Sequence, residues 1–388
     1  MKIRTRVWRL GLALLTATGA VGATAGHVAA GPLVGPTPGD GSAVVFIAST
    51  GAPGLTNGMR YNSSGGDITA GQIDDTHYWV SFLNMGGGTY TNAQLTIFKG
   101  SSSATVDPVC TIEKTKDNGT DVTVYFQCNA YIGSTLPGTN LFVTVTNRTH
   151  PDRLGVTAPG FVAVTTSDAA VNHTPTNQYR SSGVGAAAVT HLATGMYRVT
   201  VPNAAYAATQ GVAFATALTV SPAVDTYYSR YCNPQNWYPS GTNMIVNVNC
   251  YGGLGDLRDG RFSLRLSARN HMGGAQPGGS QWVSNPASAG YDPVGYGWNS
   301  AGGTNHVRSL APWEGTGSSE ITFGGATYAA GKVPSVLVSA YGGNHRCSLE
   351  YLGSNPTVGY TFESVRCFVP TAGAGVAGGM YTVSLAQL

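Results

Sequence analysis

Charged residues are scarce in this chain. Asp, Glu, Lys and Arg make up only 10% of its 388 residues, and just five residues are Glu. The sequence also lacks a Gly-x-Ser-x-Gly nucleophile elbow, an HExxH zinc motif and a GxxxxGK[ST] phosphate-binding loop. The histidines follow no regular spacing. The sequence therefore predicts no catalytic residue, no metal ligand and no cofactor.

Helical periodicity and long apolar runs are missing as well. After residue 30, no segment keeps apolar residues at positions i, i+3, i+4 and i+7 between caps. No later stretch is apolar enough to cross a bilayer, so no membrane span is expected. Apolar and polar residues alternate instead, for example over residues 122–126 and 244–249. Short alternating runs between Gly, Pro, Asn and Asp clusters predict an all-β protein.

The first 30 residues are predicted to be a secretory signal peptide. Basic residues at positions 2, 4, 6 and 9 precede a mostly apolar run over residues 10–25, and residues 28–30 fit a small-residue cleavage site. Removing these four basic residues from 21 leaves 17 against 18 acidic ones. No basic surface for nucleic acid is then expected. Residues 31–42 form a Pro/Gly-rich leader, and the mature protein is expected to be extracellular.

The rest of the chain follows one plan three times, over residues 43–147, 160–268 and 280–388. We therefore predict three tandem repeats of about 115 residues. Each repeat has two cysteines near its end, and cysteines of an exported chain are typically paired. Their places in the repeats select three local disulfides, which join Cys110 to Cys128, Cys232 to Cys250, and Cys347 to Cys367.

Each repeat divides into two similar halves, and each half is predicted to be a four-stranded meander. The six meanders lie near residues 43–85, 92–147, 160–204, 212–268, 280–326 and 333–386. They can form the blades of one six-bladed β-propeller. Alternatively, each pair can fold as a β-sandwich domain, giving three sandwiches in tandem. Two features favour the propeller. The half-repeats are similar, and the connections between repeats are about as long as other loops and contain no long polar run.

Four motifs carry a resemblance to a known group of proteins. They are residues 61–66 (YNSSGG), 195–201 (GMYRVTV), 338–347 (VSAYGGNHRC) and 365–368 (VRCF). With them the chain resembles secreted, functionally uncharacterised β-repeat proteins of soil bacteria, mostly actinobacteria. Residues 97–99 depart from this pattern, because Ile-Phe-Lys replaces the Ala-Tyr-Gly of residues 340–342. The resemblance implies export, β repeats and disulfides, but no activity.

Aromatic residues in Gly-rich loops of the third repeat are the candidate ligand-binding residues. Aromatic faces on rigid loops stack on sugar rings or hold a protein partner. The alternative is that the rings fill the space between sheets. We predict a binding or surface-interaction protein with carbohydrate as the ligand class. A polysaccharide hydrolase or lyase and a structural coat protein are the other possibilities. The predicted binding residues are Trp282, Tyr291, Tyr296, Trp298 and Trp313.

Two clusters of ionisable residues are predicted to be structural. The segment 74–77 (Asp-Asp-Thr-His) is predicted to be a solvated turn before a strand. The segment 256–260 (Asp-Leu-Arg-Asp-Gly) lacks the alternating ligands of a calcium loop, and a hairpin turn is predicted at Asp259-Gly260.

Overall fold

The structure, a computed structural model, is all-β, with 24 strands and no helix among the residues it describes. These residues belong to the compact unit Pro36–Leu388. The predicted signal peptide, most of the leader and Trp313 lie outside the described part of the chain. The described residues are 41–49, 53–98, 109–129, 140–149, 162–166, 171–180, 183–204, 211–218, 230–268, 278–293, 296–310, 317–327, 333–355, 359–369 and 379–388.

The strands fall into three sets of eight in chain order. The first set comprises β1 (Gly41–Ser49), β2 (Pro53–Asn62), β3 (Ile68–Gln72), β4 (His77–Phe82), β5 (Tyr90–Phe98), β6 (Val109–Asp117), β7 (Val122–Asn129) and β8 (Asn140–Arg148). The second set comprises β9 (Val162–Thr165), β10 (Asn177–Arg180), β11 (Ala188–Ala193), β12 (Met196–Val201), β13 (Gly211–Leu218), β14 (Tyr231–Ser240), β15 (Asn243–Tyr251) and β16 (Arg261–Ala268). The third set comprises β17 (Gly278–Val283), β18 (Gly297–Asn299), β19 (Asn305–Ser309), β20 (Ser318–Gly324), β21 (Pro334–Ala340), β22 (Arg346–Asn355), β23 (Tyr360–Phe368) and β24 (Tyr381–Gln387).

Every set has the same strand order. In the first set the orders are β2-β1-β8-β5 and β3-β4-β7-β6, and all neighbours are antiparallel. The second set gives β10-β9-β16-β13 and β11-β12-β15-β14, and the third gives β18-β17-β24-β21 and β19-β20-β23-β22. The first four and the last four strands of a set thus each contribute two strands to each of its two strand orders.

The six-bladed propeller is not confirmed by these pairings. A meander blade requires the second strand of a set to pair with the third, and the described strands of the three sets contain no such pair. No sheet closes on itself among the described strands. Alternating apolar residues locate most strands in the sequence but do not show which strands pair, because every such sheet buries one apolar face.

The three predicted disulfides are present in the structure, and each joins the sixth strand of its set to the seventh. The two cysteines of each pair lie directly opposite each other. Three residues after the first cysteine, each sixth strand carries a β-bulge, at Glu113, Gln235 and Glu350 respectively. Because the bulge occurs at the same position in all three strands, it is a specific feature of the fold and not an irregularity.

The Asn-Ser-x-Gly-Gly motif shared by residues 62–66 and 299–303 is a structural turn. Asn62 Nδ2 donates to Leu83 O at 2.9 Å, and Asn299 Nδ2 donates to Gly324 O at 2.8 Å. The glycine three positions after each Asn has a positive φ, 74° and 72° respectively. At the glycine that follows, an added Cβ would lie 2.0 Å from the same carbonyl oxygen. Only glycine fits both positions, so this motif needs no ligand to explain it.

Each set has its own hydrophobic core, and two of the cores also take side chains from another set. Alternating burial along β7 shows how the first core forms, since Val122, Val124 and Phe126 face inward. The core of the third set includes Phe46 and Phe142 from the first set. Three aromatic side chains of the third set pack against the core of the second. Within the described part of the chain, no helix has the length and apolar character needed to span a membrane.

Candidate functional site

Four aromatic side chains meet where the third set packs against the second. Trp237 comes from β14, Trp282 from β17, and Tyr296 and Tyr341 from residues beside β18 and β21. We call this cluster the aromatic junction. Trp237 is 6% exposed, and the other three side chains are half-buried. The side chain that the second set contributes is therefore buried, and the three that the third set contributes are partly exposed.

The rings of the aromatic junction pack edge to face. Their centroids are 4.8 Å apart for Trp237 and Tyr341, 5.2 Å for Trp282 and Tyr296, and 6.1 Å for the two tryptophans. Such pairs contribute about 0.5–1.5 kcal/mol beyond the area they bury. Part of the aromatic surface is therefore committed to holding the two sets together.

Both indole N–H groups of the junction are buried without a hydrogen-bond partner. The Nε1 atoms of Trp237 and Trp282 have no acceptor among the described residues. A buried polar group normally has a partner, and leaving one without it costs about 1–3 kcal/mol. Two such donors in one cluster are consistent with acceptor oxygens supplied by a ligand.

The backbone of Tyr296, in the aromatic junction, is strained. Its φ is +49°, in the left-handed region that a bulky side chain rarely adopts. Its carbonyl accepts a hydrogen bond from Trp282 N at 3.0 Å, which fixes the tyrosine against the tryptophan. Strain of this kind costs on the order of 1–3 kcal/mol and clusters at functional sites. Burial, with a smaller contribution from Tyr296, raises the pKa of Tyr341 to about 12, so its hydroxyl stays protonated.

The predicted binding residues are only partly brought together. Trp282 and Tyr296 lie in the aromatic junction. Tyr291 packs instead against the core of the third set, and its hydroxyl accepts a hydrogen bond from Asn285 N. Trp298 is half-buried in β18, opposite Ser280 and next to the structural Asn turn. Trp313 lies outside the described residues.

The binding residues predicted from the sequence do not include Trp237 and Tyr341. Trp237 is also an aromatic residue beside a Pro-rich loop, but it belongs to the second repeat, and the prediction rests on the density of aromatics in the third. The signal that could have found Tyr341 was the departure at residues 97–99, where Phe98 replaces the tyrosine at 341.

A second junction offers a direct comparison. Where the first set packs against the third, Phe46, Phe98 and Phe142 form a cluster with centroids 5.0–6.3 Å apart. We call this cluster the phenylalanine junction. Phe46 and Trp282 occupy equivalent positions in their sets. In each set the first strand pairs with the eighth, and these two residues form the next-to-last pair of that ladder, Phe46 with Phe142 and Trp282 with Thr382. One junction is purely apolar, and the other carries donors and hydroxyls.

His77 lies between two carboxylates in the first set. Its Nδ1 is 2.8 Å from Asp74 Oδ1, and its Nε2 is 3.2 Å from Glu113 Oε1 at the bulge. Burial alone would raise the pKa of Asp74, but hydrogen bonds from Thr76 and His77 outweigh it and lower this pKa to about 2. Both ring nitrogens are engaged. The Thr76 hydroxyl lies 3.0 Å from His77 Nδ1 and donates to Asp74 Oδ1 at 3.1 Å, so it belongs to the same turn. The backbone N–H of Thr76 also donates to Asp74 Oδ1, which agrees with the prediction of a structural turn.

A second histidine–aspartate pair closes the end of the second set. His191 Nε2 is 2.8 Å from Asp259 Oδ1, which also accepts from Gly195 N and Tyr197 OH. Burial would raise the pKa of Asp259, but these donors lower it overall. The carboxylate thereby ties β11 and β12 to the segment before β16. The hairpin turn predicted here is wrong, because the flanking strands β15 and β16 lie in different sheets. Asp259 instead links strands through its hydrogen bonds.

One group of potential metal ligands occurs among the described residues, and it is not available to a metal. His345, Cys347 and Cys367 have ligand atoms within 4.8 Å of one another. The two sulfurs form a disulfide, and His345 Nε2 donates to Met380 O at 2.8 Å. No thiolate remains to bind a cation.

Glu363 is a fully buried carboxyl group in the core of the third set. Neither carboxyl oxygen has a hydrogen-bond partner among the described residues. Burial raises its pKa well above the usual value of a glutamate. A group in this position is kept in its neutral form, because ionising it would place an unpaired charge in the core.

Replacing Glu363 with Gln should stabilise the protein at alkaline pH. Between the ordinary and the raised pKa, the folded state holds a proton that the unfolded state has lost, so the free energy of unfolding falls as pH rises. Gln keeps the shape and does not titrate. Denaturant unfolding from pH 4 to pH 9 should show a gain for the variant that grows with pH and vanishes near pH 4.

A matched control for this prediction is Glu320→Gln on the neighbouring strand. Glu320 is paired with Arg308 at 2.9 Å, so its replacement should give no alkaline gain. A difference between Glu363→Gln and the native protein that does not change with pH would contradict the neutral, buried carboxyl.

Comparison of the chain with models of known protein families, with characterised proteins and with solved structures gives no match in any of the three.

Proposed function

We propose that the protein is an extracellular binding protein and that the aromatic junction is its ligand site, with carbohydrate as the ligand class. The observation that carries the proposal is the pair of buried, unpartnered indole N–H donors inside a cluster of four aromatic rings. Sugar rings offer both complements, since their apolar faces stack on aromatic rings and their hydroxyl oxygens accept hydrogen bonds.

The expected affinity is modest. Stacking on an aromatic ring contributes about 1–3 kcal/mol if the value for nucleic-acid bases applies to sugars. Two or three rings with two indole donors then correspond to dissociation constants roughly between millimolar and micromolar. Binding several sugar units of one polysaccharide would raise the apparent affinity.

We further propose that each set of eight strands is a two-layer β-sandwich, so that the chain is three copies of one unit. Each set has two four-stranded layers in the same order, a core of its own and a disulfide between the same two strands. Three disulfides fit an oxidising environment, which agrees with the export expected from the N-terminal residues.

Replacing Trp282 with Phe should weaken ligand binding and leave the fold intact. Phe keeps an aromatic ring but removes the indole N–H, and one neutral hydrogen bond contributes about 0.5–1.5 kcal/mol, or roughly two- to tenfold in affinity. The measurement is a glycan array with the mature protein, followed by calorimetric titration of the best oligosaccharide with both proteins.

The phenylalanine junction provides the matched control. Phe46→Leu removes a ring at the corresponding place, so it should lower the melting temperature without changing the affinity. Equal affinity of the native protein and Trp282→Phe for a ligand found on the array would place that ligand elsewhere. Failure of all glycans to bind would remove carbohydrate as the ligand class.

A further inference from the structure

The edges of the three sets meet at three similar joints. β5 of the first set pairs in parallel with β22 of the third at Phe98 and Leu349. β13 of the second set pairs in parallel with β6 of the first at Leu218 and Ile112. At the remaining edge, Gly342 N, just after β21, donates to Pro234 O of β14 at 3.1 Å. Each joint brings the fifth strand of one set to the sixth strand of another.

The register of these joints is the same. Ile112, Pro234 and Leu349 each lie two residues after the first cysteine of their set. Pro234 accepts from Gly342 N, the residue after Tyr341. Residues 340–342 correspond to residues 97–99, so Tyr341 takes the place that Phe98 has at the joint with Leu349. Three joints with one register imply one geometric relation between neighbouring sets.

The faces of the sets pack in the same cyclic order. The second set packs on the first through polar side chains, including Arg265 Nη2, which donates to Asn92 Oδ1 at 3.1 Å. The third packs on the second at the aromatic junction, and the first packs on the third at the phenylalanine junction. The fifth strands β5, β13 and β21 contact one another, as strands around a common centre must.

We infer that the three sets form a closed ring around a pseudo-threefold axis lined by their fifth strands, so that the chain is the covalent counterpart of a cyclic trimer. A head-to-tail contact that is repeated by a rotation closes into a ring or continues as a filament. Here the third step returns to the first set. At these joints the partner surface of each set is therefore another set of the same chain. This inference rests on the sandwich form of the sets and is independent of the ligand.

The ring can be tested by cutting the two connections between sets in the full-length protein. A protease recognition sequence is inserted into residues 151–159 and another into residues 270–276, and the purified, oxidised protein is cleaved at both. Each disulfide lies within one set, so no covalent bond then links the three pieces. The cleaved protein should elute as one particle of the uncut size and give one mass under native conditions. Elution as three separate, folded pieces would overturn the ring.

A second measurement uses the uncut protein. If the third joint is formed, the amide of Gly342 is protected from hydrogen exchange to a degree similar to that of Val383, which lies in the middle of β24. Exchange of the Gly342 amide at the rate of an unstructured peptide would show that the third joint is open and that the ring is not closed.

Discussion

Replacement of Trp237 by Ala should lower the free energy of unfolding by about 3–5 kcal/mol, the usual cost of removing a large buried aromatic side chain. Trp237 is 6% exposed and lies between the core of the second set and three aromatic rings of the third. The substitution therefore leaves a cavity at the boundary of two sets. Denaturant unfolding, followed by circular dichroism, measures the loss.

Trp298→Ala is the control for this substitution. Trp298 is half-buried in the edge strand β18, so its loss should cost less than half as much. Equal losses for the two variants would mean that Trp237 is not the anchor of the aromatic junction.

Removal of the disulfide between Cys232 and Cys250, by replacing both with Ala, should lower the free energy of unfolding by about 3 kcal/mol. The bond closes a loop of 18 residues, and constraining such a loop in the unfolded chain accounts for this amount. Both cysteines are buried on facing strands, so the two Ala side chains also leave a small cavity. Equilibrium unfolding under oxidising conditions gives the value.

The control for the disulfide is reduction of the same variant. The remaining two disulfides should each account for a similar additional loss, because their loops contain 18 and 20 residues. If removing both cysteines left the unfolding midpoint unchanged, the disulfide would not stabilise the second set, and this prediction would be wrong.

Much of the fold is predictable from local patterns. Alternating burial, turn residues and the cysteine spacing locate the strands and the disulfides, because they depend on residues close in sequence. One strand shows the limit. The sequence predicts a strand near residues 226–233, followed by a loop that contains Pro234 and Pro239. The structure instead continues β14 through both prolines, which an edge strand with a bulge at Gln235 tolerates.

The pairing of strands and the composition of the site were beyond local patterns. Whether β2 pairs with β3 depends on which sheet each strand joins, and these two strands belong to different sheets. The aromatic junction likewise combines Trp237 with residues that follow it by 45 to 104 positions. Aromatic density in one repeat could indicate Trp282 and Tyr296, but not the side chains that another set contributes.

The binding site is tested most directly by the indole N–H resonances of the mature protein in ¹H–¹⁵N spectra, recorded while a neutral oligosaccharide is added. The chain has five tryptophans after residue 30, each with one such resonance. The account predicts that the resonances of Trp237 and Trp282 shift together and saturate, while that of Trp79 in the first set stays in place. Shifts confined to other tryptophans, or none with any glycan that binds, would contradict it.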